Sequence, residues 1–193
     1  MNKLLIFFLI LFLNYKHAIG RNIGETEITT EDGIEVFQEE KYYLLKKNVE
    51  ILSDEFTLNG QLVKIYFNQD LYDIEDLVAN DDVSFVSEEY NIKGKGDNLK
   101  FDIKNQKITV KGINSELFLE TTEMLSDGKI SVDNIAGSFS IIGPNSKLVS
   151  DNIYIIGSKI NGSFEIIDGK RDIDNLKVED EKQLNIKSNE ILV

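Results

Sequence analysis

A twelve-residue pattern at 49–60 returns at 83–94, displaced by 34 residues. In each copy a strand-like run, Val49-Glu50-Ile51-Leu52 or Val83-Ser84-Phe85-Val86, meets a serine followed by two acids. Those turn candidates are Ser53-Asp54-Glu55 and Ser87-Glu88-Glu89. A second run then closes on Gly60 or Gly94, and further strand-like segments follow at Leu62-Val63-Lys64-Ile65-Tyr66-Phe67 and Leu99-Lys100-Phe101-Asp102-Ile103. A unit this short cannot bury its apolar face alone. Its recurrence at fixed spacing points to stacked β meanders that share one core.

From residue 28 onward apolar and polar residues alternate, as in Lys107-Ile108-Thr109-Val110-Lys111 and Ser138-Phe139-Ser140-Ile141. Successive side chains on a strand point to opposite faces, so such runs make sheets with one dry face and one wet face. The pattern predicts an all-β, antiparallel fold. Asx and glycine residues, which sit cheaply at positive φ, mark the expected turns. These are Asp32-Gly33, Asn59-Gly60, Asn68-Gln69-Asp70, Gly94-Lys95-Gly96, Lys104-Asn105-Gln106, Asp127-Gly128, Gly143-Pro144-Asn145, Asn161-Gly162 and Asp168-Gly169. Within 70–78 the residues Leu71, Ile74, Leu77 and Val78 fall at helical spacing, but the flanking strands need a partner and favour a loop and strand there.

Composition narrows the chemistry. With no cysteine there is no disulfide, no thiol nucleophile and no thiolate metal ligand. Residues 1–20 have the make-up of an export signal: Lys3, an apolar run over 4–13, and small residues in Ala18-Ile19-Gly20. That run is well short of the about 20 residues a membrane span needs; a retained anchor is the competing reading. Cleavage would remove the sole histidine, His17, and with it any Ser-His or Cys-His mechanism. It would also remove Lys3 and Lys16, leaving the chain two units more negative than its formal −13. So acidic a chain is a poor partner for nucleic acid. The expected organisation is a signal peptide over 1–20, a β domain over 21–171, and a terminal strand or charged tail over 172–193.

The export signal and the repeated meander together resemble the LptA (OstA-like) family of lipopolysaccharide export. The residues that carry the likeness are Tyr42-Tyr43-Leu44-Leu45-Lys46-Lys47-Asn48-Val49-Glu50-Ile51, Ala79-Asn80-Asp81-Asp82-Val83-Ser84-Phe85 and Val110-Lys111-Gly112-Ile113-Asn114-Ser115-Glu116-Leu117. Lys47 stands where the family carries glycine before Asn-Val, and Asp82 stands where an asparagine would repeat. The resemblance implies an open-ended β-jelly roll of two facing antiparallel sheets, periplasmic, without catalytic activity or cofactor. It also implies lipopolysaccharide as cargo, partners among the inner- and outer-membrane export components, and end-to-end joining of copies along sheet edges. The edges expected to join are the first strand, 27–37, and the last ordered strand, 153–167.

On that reading the inward residues line a groove for acyl chains: Ile51, Phe56, Leu58, Val63, Ile65, Phe85, Ile92, Leu99, Phe101, Ile108, Val110 and Phe139. The same residues suit an ordinary closed core, and only the resemblance turns them toward lipid. Lys93, Lys95 and Lys100 lie in a locally basic stretch and are the candidates for head-group phosphate. Two other functions fit the pattern: a membrane-anchored LptC-like partner of the same pathway, or a secreted β-repeat adhesin or scaffold with a solid core.

Overall fold

The computed structural model describes residues 24–186 apart from 70–72, 152, 168–169 and 181. The expected export signal and the end of the chain beyond 186 lie outside the described residues. Those described form β-strands joined by turns, with no helix among them.

The chain runs back and forth in passages, and nearly every passage has two arms. Some are single bent strands: β3 (Tyr42–Leu52), β4 (Thr57–Phe67), β5 (Ile74–Ser87), β6 (Ile92–Asp102), β11 (Ser138–Val149) and β12 (Ile153–Ile167). Others are broken in the middle: β1 (Glu27–Thr29) with β2 (Ile34–Phe37), β7 (Lys107–Lys111) with β8 (Ser115–Leu119), and β9 (Thr122–Ser126) with β10 (Lys129–Asp133). β13 (Lys170–Glu179) with β14 (Gln183–Ile186) completes the set.

Pairing sorts the arms into two layers. One layer runs β2, the first half of β3, the second half of β4, the first half of β5, the second half of β6, β7, β10, the first half of β11, the second half of β12, then β13. The other runs β1, the complementary halves of β3, β4, β5 and β6, then β8, β9, the remaining half of β11 and of β12, and β14. Every pairing is antiparallel. Inward residues of both layers, such as Leu45, Leu99 and Ile108 on one and Ile51, Phe85 and Leu117 on the other, belong to a single core. This is the expected antiparallel β-jelly roll of two facing sheets, hinged along a row of corners.

The corners explain where several turn signals went. Asn59-Gly60, Gly94-Lys95-Gly96 and Gly143-Pro144-Asn145 do not reverse the chain; they lie inside β4, β6 and β11, at or beside the point where the strand crosses between layers. Register skips there, between Asn59 and Leu62, Asn80 and Val83, and Ile142 and Ser146, as β-bulges do when they bend a strand. Asp127-Gly128 and Asp32-Gly33 likewise separate two arms of one passage. Asn161-Gly162 lies inside β12, where a Cβ on Gly162 would strike the Phe139 ring. Lys104-Asn105-Gln106 is a true reversal between β6 and β7.

Positive φ concentrates at the corners: Lys47 (61°), Asn48 (46°), Asp81 (62°), Asp82 (54°), Asn114 (55°) and Asn145 (56°). Such values suit Asn and Asp better than other non-glycine residues. Side chains tie neighbouring corners together. Gln61 and Asn48 exchange bonds of 3.1 and 3.2 Å, Asn98 donates to Asn80 at 2.8 Å, and Asp127 accepts from Asn114 N at 2.8 Å and Asn145 Nδ2 at 2.6 Å. The buried Ser126 and Ser146 hydroxyls meet at 3.2 Å. A polar spine therefore holds one long side of the sandwich closed.

Three aspartates at turns and corners have their carboxyls held below the usual carboxylate range by donors aimed at them. Asn105 donates to Asp102, Asn114 N to Asp127, and Ala136 N to Asp133. Such groups add stability above their unfolded pKa and lose it as pH falls through the depressed folded value. Thermal melts are expected to show a midpoint that falls as pH drops through and below the ordinary carboxylate range, with Asp133→Asn flattening that slope.

One expectation about the chain's end changes. The stretch 153–167 is not an edge, because β12 pairs with β11 on one side and with β13 and β14 on the other. Within the stretch 172–193, expected as a terminal strand or charged tail, the described residues form most of β13 and all of β14, and these lie at that edge instead. At the opposite end, among the described residues, β1 and β2 pair only with β3, which leaves them at that edge.

Candidate functional site

Opposite the spine, the hairpin tips of the two layers face each other and form a mouth along the sandwich. Its middle is sealed by aromatic rings. Phe56 and Tyr90, beside the tips of one layer, reach across to Phe101 of the other, with ring centroids 5.9 and 6.3 Å away in edge-on geometry. Phe85 completes the cluster at 5.1 Å from Phe101. Edge-to-face pairs at these separations are favourable beyond the area they bury. Burial among these rings, with Glu89 and Glu55 nearby, pushes the Tyr90 phenol up.

Further along, the mouth is fastened by a polar clasp. Arg171 of β13 donates from Nη1 to Glu120 Oε1 at 2.5 Å and from Nη2 to Asn134 Oδ1 at 2.6 Å, and its backbone N–H reaches Glu120 Oε2 at 3.0 Å. Glu120 belongs to the turn between β8 and β9, so the clasp spans both layers.

Toward the β1–β2 end the interior opens. There a cavity of about 620 Å³ lies among Ile28, Ile34, Tyr43, Leu45, Ile65 and Ile74, with Gly24, Glu25 and Thr26 at its lip. It adjoins a second of about 340 Å³ that continues past Ile51, Phe56, Leu77 and Ile103. The two share Ile28, Ile65 and Ile74, so they make one apolar trough entering between the layers. Volumes and linings of this kind are those of small-molecule sites.

The twelve residues expected to form a groove divide between trough and core. Ile51, Phe56 and Ile65 line the trough. Leu58, Val63, Phe85, Ile92, Leu99, Phe101, Ile108, Val110 and Phe139 are packed into the core, none more than 4% exposed. Sequence reasoning passed over Ile28, Ile34, Tyr43, Leu45, Ile74, Leu77 and Ile103, which complete its apolar lining. Ile28 and Ile34 carried a signal as apolar residues of the first expected strand. Ile74 was obscured by its helical spacing.

The three lysines all point outward from β6. Lys93 and Lys95 stand on one layer and Lys100 on the other. Lys95 pairs with Glu116 at 2.9 Å and Lys100 with Asp76 at 3.2 Å. Lys93 lies near the mouth, in a shallow depression with Asn91, Phe118 and Glu120.

The fold and its trough define an open-ended jelly roll with an apolar interior reachable from one end. Residues 30–138 match the family described as LptA/(LptD N-terminal domain) LPS transport protein, and the chain belongs to that family. It is a family of lipopolysaccharide-transport proteins, not of enzymes. A search of curated proteins finds no match. Among solved structures the chain is similar to LptH, the LptA homologous periplasmic component of the lipopolysaccharide transport device of Pseudomonas aeruginosa. Identity is 11% and the TM-score 0.48, over 57% of this chain and 76% of that one.

Proposed function

We propose that this chain is a periplasmic bridge component that shields lipopolysaccharide acyl chains between the inner and outer membranes. The observation that carries the reading is the apolar trough at the β1–β2 end, in a member of a lipopolysaccharide-transport family. Each buried methylene is worth about 0.8 kcal/mol, so keeping a chain of roughly a dozen methylenes out of water is worth on the order of 10 kcal/mol. Acyl burial therefore dominates binding in so acidic a protein. The chain's partners are the export components of the two membranes and further copies of itself.

The sheet edges support that assembly. β1 and β2 end one side of the sandwich and β13 and β14 the other, and β2 exposes Ile34 and Val36 at 49% and 47%. Unpaired edges accept strands from another chain. Joined this way, the trough of one molecule would face the interior of the next.

Photo-crosslinking tests the path. A benzophenone side chain at Tyr43 is expected to capture added lipopolysaccharide, whereas one at Ile113, 70% exposed beside the spine, is not. Equal labelling at both sites, or none at Tyr43, would remove the trough from the transport route.

A further inference from the structure

Rings and clasp close the mouth in ways that answer differently to a lipid tail. Phe56, Tyr90 and Phe101 meet by apolar contact, which has no direction, so a hydrocarbon chain sliding between them replaces what it parts. The clasp is held by directed bonds to charged groups, and hydrocarbon has neither donor nor acceptor to offer in exchange. A chain lying in the trough can therefore pass the rings and is stopped at the clasp.

The clasp has a parting line. On one layer Asn134 is fixed to the neighbouring tip, its N–H donating to Gln106 O at 3.1 Å and its Nδ2 to Gln106 Oε1 at 2.6 Å, which leaves Oδ1 to hold Arg171 Nη2. On the other layer Glu120 N donates to Asn91 O at 3.0 Å. Arg171 thus stays with its own layer, and the described bonds that cross the mouth here both end on the Glu120 carboxylate. Both side chains of the pair are 21% exposed, so water can rehydrate the two charges as they separate. A pair sealed in a dry interior would part at far higher cost. Beyond the clasp a cavity of about 460 Å³ lies between the layers, among Thr122, Ser150 and Ile153 of one and Ile167, Arg171 and Ile173 of the other.

We propose that the clasp is a latch on the mouth. Closed, it confines acyl chains to the β1–β2 end. With Arg171 parted from Glu120, a chain extends along the mouth into the far cavity while its head group stays outside. This rests on the reading of the trough as an acyl-chain site and adds a control over how far along the sandwich the cargo travels.

The chain has no cysteine, so Glu120→Cys with Arg171→Cys supplies the only thiols, and a reducible cross-linker between them holds the mouth shut until reductant frees it. Lipopolysaccharide is then captured by a benzophenone side chain placed either at Tyr43, in the trough, or at Ile153, in the far cavity. In the cross-linked protein labelling is expected at Tyr43 alone. Reduction of the same sample is expected to bring labelling to Ile153, and because the polypeptide is unchanged this sets aside any fault in folding. With Arg171 kept, Glu120→Gln weakens the pair without shortening the side chain and is expected to raise Ile153 labelling about fivefold over the parent. Equal labelling at Ile153 before and after reduction, or none in either state, overturns the latch and leaves the trough standing. Glu120→Gln labelling at the parent's level does the same. No labelling at Tyr43 in either state defeats the acyl-chain reading itself.

Discussion

Phe101→Ala is expected to lower the free energy of unfolding by about 3–5 kcal/mol, the range for deleting a buried aromatic side chain. Phe101 is 1% exposed and is the ring on which Phe56, Phe85 and Tyr90 converge, so its removal strips the support from both layers at once. The loss contains the transfer of the ring to water and the cavity left beneath Phe56 and Tyr90, which the flanking strands cannot collapse to fill. Phe101→Leu, which keeps most of the volume, is expected to cost nearer about 1 kcal/mol. Urea unfolding followed by far-ultraviolet circular dichroism measures both. A Phe101→Ala midpoint within error of the parent would show that the aromatic seal is not holding the mouth.

Gly143→Ala is expected to cost about 2–4 kcal/mol, a large effect for one added methyl group. Gly143 has a φ of 133°, a conformation that L side chains rarely adopt. Its added Cβ would also lie 2.8 Å from Gly128 Cα and 3.0 Å from Gly128 N, both backbone atoms that cannot swing aside. The two glycines face each other where neighbouring passages cross between layers, so relief in one requires displacement of the other. Gly33→Ala is the control. Gly33 also has positive φ (80°) but nothing lies within 4 Å of its would-be Cβ, so it reports the conformational penalty alone, about 1 kcal/mol. If the two variants melt alike, the close approach at the corner contributes nothing.

Much of the fold was legible because burial imposes period two on every arm. Leu58, Val63, Ile65, Phe85, Ile92, Leu99 and Phe101 all face inward as their alternation requires. The corners were not legible as corners. Glycine and Asx residues announce positive φ or close approach, and a chain uses both to reverse direction and to bend between layers. Asp127-Gly128 and Lys104-Asn105-Gln106 look alike in sequence, yet the first bends a passage and the second reverses one. What distinguishes them is the phase of the inward residues on either side. In β4 the inward set shifts from Leu58 and Gly60 to Val63 and Ile65, and the change of parity marks the bend. The trough was read only in part, because its lining comes from a place where alternation runs out. Ile28 and Ile34 lie on short edge arms and Ile74 at the start of a strand, so none had the flanking pattern that identified Ile51 or Ile65.

The division of each passage between two layers fixes how such a molecule can vary in size. A further passage adds one arm to each sheet, so the sandwich grows longer while its bore stays the same. Length becomes a matter of repeat number and calibre a matter of corner chemistry, and the two can change independently. A conduit assembled from parts of this design can differ in span without altering what fits inside it.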